Sequence, residues 1–234
     1  MSSTTAAEPP QATPQFDYVY HLQLDRLLTS MRLITTHPEE HIFLTTHHVL
    51  ELWFKHVIFD LKRIVPMLDG DDLAQANWLM RRLAEILKLA EAHWTVLETM
   101  TAADFAECRG NLTGASGMQS RQFREVEVMI GLGQTAGKEY RDRVEHLWPG
   151  LLAEYPRTLR DAFFDAFKRR GKTLREVYHR RWIDNDLFML AEAAFEIDRR
   201  FQSWRHNHIL MVRRQIGIRA RGTRGPSFRH YLAP

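Results

Sequence analysis

Cysteine is nearly missing from this chain of 234 residues. Cys108 stands alone, so no internal disulfide can form. No CxxC pair exists to build a thiolate metal site or a dithiol redox centre, and the usage suits a reducing, cytoplasmic setting. Long apolar runs are absent too: charges interrupt every stretch before the roughly 18 to 20 apolar residues that a membrane span requires, and the protein is expected to be soluble. Residues 1–14, MSSTTAAEPPQATP, lack the basic and apolar regions of a secretory signal, and 1–16 read as a disordered tail. Neither sign of charge dominates, since 32 Lys and Arg face 29 Asp and Glu. A net +3 over this length does not point to nucleic acid or to an anionic membrane surface. HExxH, phosphate-binding glycine loops and GxSxG are all missing, and only Glu176 to His179 fits Glu-x-x-His, where a carboxylate di-iron bundle needs two such motifs.

Alternating β-branched runs are likewise absent, whereas apolar residues recur at helical spacing almost throughout, which predicts an all-α fold. The spacing places a first helix over Tyr18 to about Met31 and a second from Pro38 to Pro66. Asp71 or Asp72 can cap a third that reaches about Met100. Thr101 with Asp104 resembles a capping box for a short helix carrying Phe105 and Arg109, and residues 111–117 form a loop. Further helices fall at about Ser120–Leu132, at Lys138–Leu147 and from near Pro156 to Gly171. A long one over Asn185–Ile216 is ended by Gly217. With 44% hydrophobic residues, 17–234 is expected to be one helical domain with a substantial core.

Two of the twelve histidines sit in the middle of helices among large apolar neighbours. Phe43 and His47 share a face at a spacing of four. His208 follows Trp204 by four residues and precedes Met211 by three, on a stripe able to line a flat apolar cofactor. Spacing alone leaves both readings open, because a core histidine held by a hydrogen bond gives the same pattern. Arg109, one turn beyond Phe105, could clamp a carboxylate beside an aromatic wall or be a solvated arginine at a helix end. The arginines 213, 214, 219, 221 and 224 suggest a solvated surface or an oligomer contact before a nucleic-acid module.

Four blocks in order, HPEEHIFLTTHHVLELWFK, WTVLETMTAADFAECRGNL, GASGMQSRQFREVEVMIG and FQSWRHNHILMVRRQIG, resemble the tryptophan 2,3-dioxygenase family over about Asp17 to Thr223. The resemblance implies a helical bundle with one b-type haem between long helices, where O2 and L-tryptophan meet and the indole C2–C3 bond opens to N-formylkynurenine. By the same resemblance His208 is the proximal iron ligand, with Trp204 and Met211 beside the cofactor and Ser116 in a loop near it. His47 takes the indole N–H, Phe43 and Phe105 enclose the ring, Arg109 holds the carboxylate and Thr223 the ammonium. Tyr18, His21 and Leu22 match residues that reach a neighbouring subunit's pocket in a homotetramer, with His21 where a tyrosine is common. A zwitterion with a desolvated indole needs one cationic and one acceptor partner, which these assignments supply.

The chain also departs from the family. The loop from Gly222 to Phe228 has Arg224, Pro226 and Phe228 at positions that are small or flexible in the family, the segment between Gly131 and Pro156 is shorter, and the family's C-terminal helix is not present. These changes cluster at the ammonium end and lid of the implied pocket. They leave open a monooxygenation of tryptophan, or of a β-substituted tryptophan, to a 2-oxindole, a dimer in place of the tetramer, and a haem sensor without turnover.

Overall fold

The computed structural model describes residues 17–109 and 119–217, and within them every regular element is helical, as the periodicity predicts. No helix among these residues is long and apolar enough to cross a membrane. The chain divides into two compact units, Met1–Leu33 and Ile34–Pro234. In the first, the single predicted helix is two: α1 (Tyr18–Leu22) and α2 (Leu24–Thr29). Gln23 between them adopts a left-handed conformation at φ 51°, a local cost that apolar periodicity does not reveal. Asp17 caps α1 by accepting from the Tyr20 amide at 3.0 Å.

The second unit is built on three long helices, α3 (Glu40–Asp69), α4 (Leu73–Leu97) and α12 (Asn185–Ile216). Each buries one stripe at steps of three, four or seven residues. In α3 the stripe is Leu50, Phe54, Val57, Leu61, Ile64 and Leu68; in α12 it runs Leu187, Leu190, Ile197, Phe201, Trp204 and Met211. His47 and His208 fall in step with these stripes, so both face inward. α3 continues past Pro66, beyond the predicted end, because a proline in the last turn forfeits one amide bond while Leu68 behind it stays fully buried. Asp72 then caps α4, accepting from the Gln75 amide at 3.2 Å.

α4 and α12 pack closely and run parallel. Trp94 meets Trp204, Arg214 reaches the Glu98 carbonyl at 2.7 Å, and Gln215 reaches the Met100 carbonyl at 2.9 Å, with both numbers rising together. α5 (Ala102–Arg109) packs on α12 and starts with the predicted box, Thr101 and Asp104 each accepting the other's amide at 3.2 Å. α6 (Arg121–Ile130), α7 (Leu132–Thr135), α8 (Lys138–Leu147), α9 (Leu151–Glu154), α10 (Leu159–Arg169) and α11 (Leu174–His179) complete the chain, with α6 and α10 against α3. α11 begins with a Thr173–Glu176 capping box, so the one Glu-x-x-His match is a helix start.

Candidate functional site

The Glu40 carboxylate, fully buried at the first turn of α3, accepts from the amides of Ile34 at 2.7 Å and Thr35 at 2.6 Å, tying down the segment before the helix. Burial pushes the Glu40 carboxyl up, but these hydrogen bonds outweigh it and hold the group below its usual range. From the same segment the His37 ring lies 3.7 Å from Asp104 and 3.4 Å from Glu107, which tethers α5 to the start of α3.

One turn into α3, the Phe43 and His47 rings pack at a 38° tilt with centroids 4.2 Å apart, and the Phe105 ring of α5 lies 6.0 Å from Phe43. The structure thus brings these three predicted residues together. His47 Nδ1 meets the Phe43 carbonyl at 2.7 Å. A carbonyl only accepts, so Nδ1 carries the proton and Nε2 of the neutral ring is left as an acceptor. Burial holds the His47 imidazole below its ordinary pKa of 6.5, partly offset by that hydrogen bond and by the Glu51 carboxylate. Glu51 is itself anchored by Gln122 of α6 at 2.8 Å.

On α12, burial lowers the His208 imidazole to about 3, with smaller contributions from the nearby His47 and Arg124 side chains, so the ring is neutral. Its Nδ1 is buried without a hydrogen-bond partner among the described residues. Trp204 is buried against Phe54, Phe123 and Trp94, with its ring 5.5 Å from His208, and Met211 lies in the same core. Trp204 thus backs the histidine from within the core.

Arg109 ends α5, one turn after Phe105, and is half-buried. Tyr18, His21 and Leu22 are exposed on α1 of the first unit. Ser116 and Thr223 lie outside the described residues, as do the 1–16 tail, the predicted 111–117 loop, the altered 222–228 loop and arginines 219, 221 and 224.

Two features escaped sequence reasoning. Glu127 of α6, 1% exposed, sits 2.6 Å from Arg124 and 3.6 Å from Arg205 of α12 and accepts from the Tyr140 hydroxyl at 2.8 Å. The Arg124–Glu127 pair is three residues apart on α6, but nothing in that spacing announces its burial or the approach of Arg205 from α12. Trp94, within a quoted block but without a predicted role, lies flat on His208 with ring centroids 4.6 Å apart. A separate cavity of about 340 Å³ is walled by Phe163, Phe164, Phe195 and Phe201 of α10 and α12, and its lining includes neither His47 nor His208.

What can this arrangement hold? Among the described residues no three His, Cys, Asp or Glu side chains converge as a bare metal ion would require. One neutral inward imidazole suits a porphyrin iron, whose other in-plane ligands come from the macrocycle. The second imidazole, with its acceptor nitrogen and two aromatic walls, suits a flat heteroaromatic ring bearing an N–H.

Comparison with known proteins agrees. A family model described as tryptophan 2,3-dioxygenase matches residues 4–154. A tryptophan 2,3-dioxygenase of Herpetosiphon aurantiacus is 31% identical over 242 residues, covering 92% of this chain and 91% of its own. That of Caulobacter vibrioides is 30% identical with the same coverage, and that of a Nocardioides species is 32% identical over 93% and 88% of the two chains.

Proposed function

Because this chain belongs to the tryptophan 2,3-dioxygenase family, we propose that it carries out the haem-dependent oxygenation of tryptophan, opening the indole C2–C3 bond to N-formylkynurenine. The single observation that carries the reading is the pair of inward imidazoles on α3 and α12: His208 neutral with an unpartnered Nδ1, and His47 with its Nε2 left as an acceptor. In this reading the cofactor is haem b, which His208 would hold through its imidazole and which, when bound, would supply the activation of O2. The protein does the rest by binding and orientation.

His47 accepts the indole N–H at Nε2. Its own Nδ1–H is committed to the Phe43 carbonyl, so the ring cannot switch tautomer without losing that bond. Phe43 and Phe105 flank the indole and keep water from it. Arg109 pairs with the carboxylate, forking two N–H groups onto its two oxygens, while Thr223 meets the ammonium and Ser116 lies near the haem. Tyr18, His21 and Leu22 complete the pocket of a neighbouring copy in a homo-oligomer, a tetramer or a dimer. No strong base is needed, since His47 stays neutral and orients the ring.

The test is a single turnover of haem-loaded, reduced protein with L-tryptophan and isotopically labelled O2, followed by product mass. Incorporation of both oxygen atoms supports ring opening; one atom indicates oxindole formation and replaces this reading. A Soret band that does not respond to tryptophan, with no product, would leave a haem sensor.

A further inference from the structure

The Trp94 indole, 4% exposed, lies against the His208 imidazole with the two planes 10° from parallel and 4.6 Å between centroids. Its Nε1–H donates to the Trp204 carbonyl at 3.2 Å. In the unbroken helix α12 that carbonyl also accepts the His208 amide, four residues on. One indole therefore holds His208 twice, on the ring by stacking and on the backbone through a shared acceptor. Three residues earlier on α4, Glu91 accepts from Ser203 Oγ and from Asn207 Nδ2, each at 2.6 Å, which resists rotation of α12 about its own axis on either side of this contact. The Trp204 ring packs against Trp94 at a 47° tilt with centroids 5.0 Å apart.

A metal-bound histidine is ordinarily oriented through its second nitrogen, which donates to a carboxylate, a carbonyl or water. His208 Nδ1 has no such partner among the described residues. The torsion that turns an imidazole about its bond to Cβ is broad, so something else must set the plane of the ring. The geometry points to Trp94 as the positioning residue of the axial imidazole: its face sets the ring plane, and its N–H sets the position of His208 along α4. This rests on His208 being the iron ligand. Ring plane and ligand strain are among the levers by which a protein tunes haem iron, so Trp94 acts on the iron through His208 without touching substrate.

The test reads the iron–histidine stretching band of the ferrous, haem-loaded protein by resonance Raman, together with the rate of haem transfer to excess apomyoglobin. Trp94→Phe keeps a stacking ring and loses the N–H bond; it should shift or broaden the band while haem loss stays within about twofold of wild type. Trp94→Leu loses both contacts and should move the band further and speed haem loss by about two- to tenfold, the factor one aromatic pair supplies. A W94F protein with a wild-type band and haem-loss rate overturns the proposal, whether or not W94L folds. Lower thermal stability with an unmoved band marks a merely structural tryptophan and overturns it equally. A band that is missing from wild type, or that survives His208→Ala, removes His208 as the ligand and this proposal with it. A band that depends on His208 but is indifferent to Trp94 removes the Trp94 role alone.

Discussion

Replacing His47 by alanine, while replacing tryptophan by its 1-methyl analogue, isolates one hydrogen bond from general damage to the pocket. His47 Nδ1 is bound to the Phe43 carbonyl at 2.7 Å, which leaves Nε2 as the acceptor that the proposed function assigns to the indole N–H. The methylated substrate has no such hydrogen and strands a desolvated acceptor, which costs about 1 to 3 kcal/mol. Wild-type enzyme should therefore prefer tryptophan over the methyl analogue by about 5- to 150-fold in kcat/KM. In H47A both partners are gone, a change that is nearly neutral for the methylated substrate, and the preference should fall to within about twofold. The assay is kcat/KM for both substrates with both proteins, normalised to bound haem by the Soret absorbance. If H47A slowed both substrates by the same factor and kept the wild-type preference, the tautomer argument and the role of Nε2 would be wrong.

Glu127→Ala leaves Arg124 and Arg205 buried beside each other without their shared carboxylate, and should cost about 3 to 5 kcal/mol in denaturant unfolding of the apoprotein; a loss under about 1 kcal/mol would contradict a buried ion cluster. Arg109→Ala should raise KM for tryptophan by the equivalent of about 2 to 5 kcal/mol, and Arg109→Lys should recover only part of that because an ammonium cannot fork onto two oxygens; an unchanged KM removes the clamp. Both inward histidines have pKa values depressed below 6.5, that of His208 to about 3, so between these limits the unfolded chain binds more protons than the folded one. The apoprotein should thus be steady above pH 6.5 and lose stability on acidification toward pH 3, by at most about 1.4 kcal/mol per pH unit for each histidine. His208→Ala should flatten that acid limb when unfolding is followed by circular dichroism, and an identical limb in the variant would show that the ring is not buried neutral.

The long helices and most of their ends were legible because their signals are local. Asp72 caps α4, Thr101 and Asp104 cap α5, and Gly217 ends α12 where the residue types indicate. The pairing of Phe43 with His47 was equally legible, since both partners sit on one helix four residues apart. The break at Gln23 was not, because the residue has no preference for the left-handed conformation it adopts. Neither was the short helix α11, whose Thr173–Glu176 box shares its glutamate with the Glu-x-x-His spacing and opens a helix of only six residues. The Glu127 cluster and the Trp94 stack were hidden for a deeper reason. Each depends on a contact between distant residues, Arg205 with Glu127 and Trp204 with Trp94, and what an arginine or a tryptophan meets across a helix interface leaves no trace in its own helix's periodicity.

The parallel run of α4 and α12 has a consequence for how the protein is born. Trp94 waits on the ribosome for a partner helix whose contact residues come 110 positions later, and until then the buried face of α4 has mainly α3, with α6 and α10 joining α3 in between. The pocket's two halves are thus made at opposite ends of synthesis, and porphyrin capture belongs to the finished polypeptide. A nascent chain stalled before residue 200 should fail to retain haem even when its first hairpin is already folded.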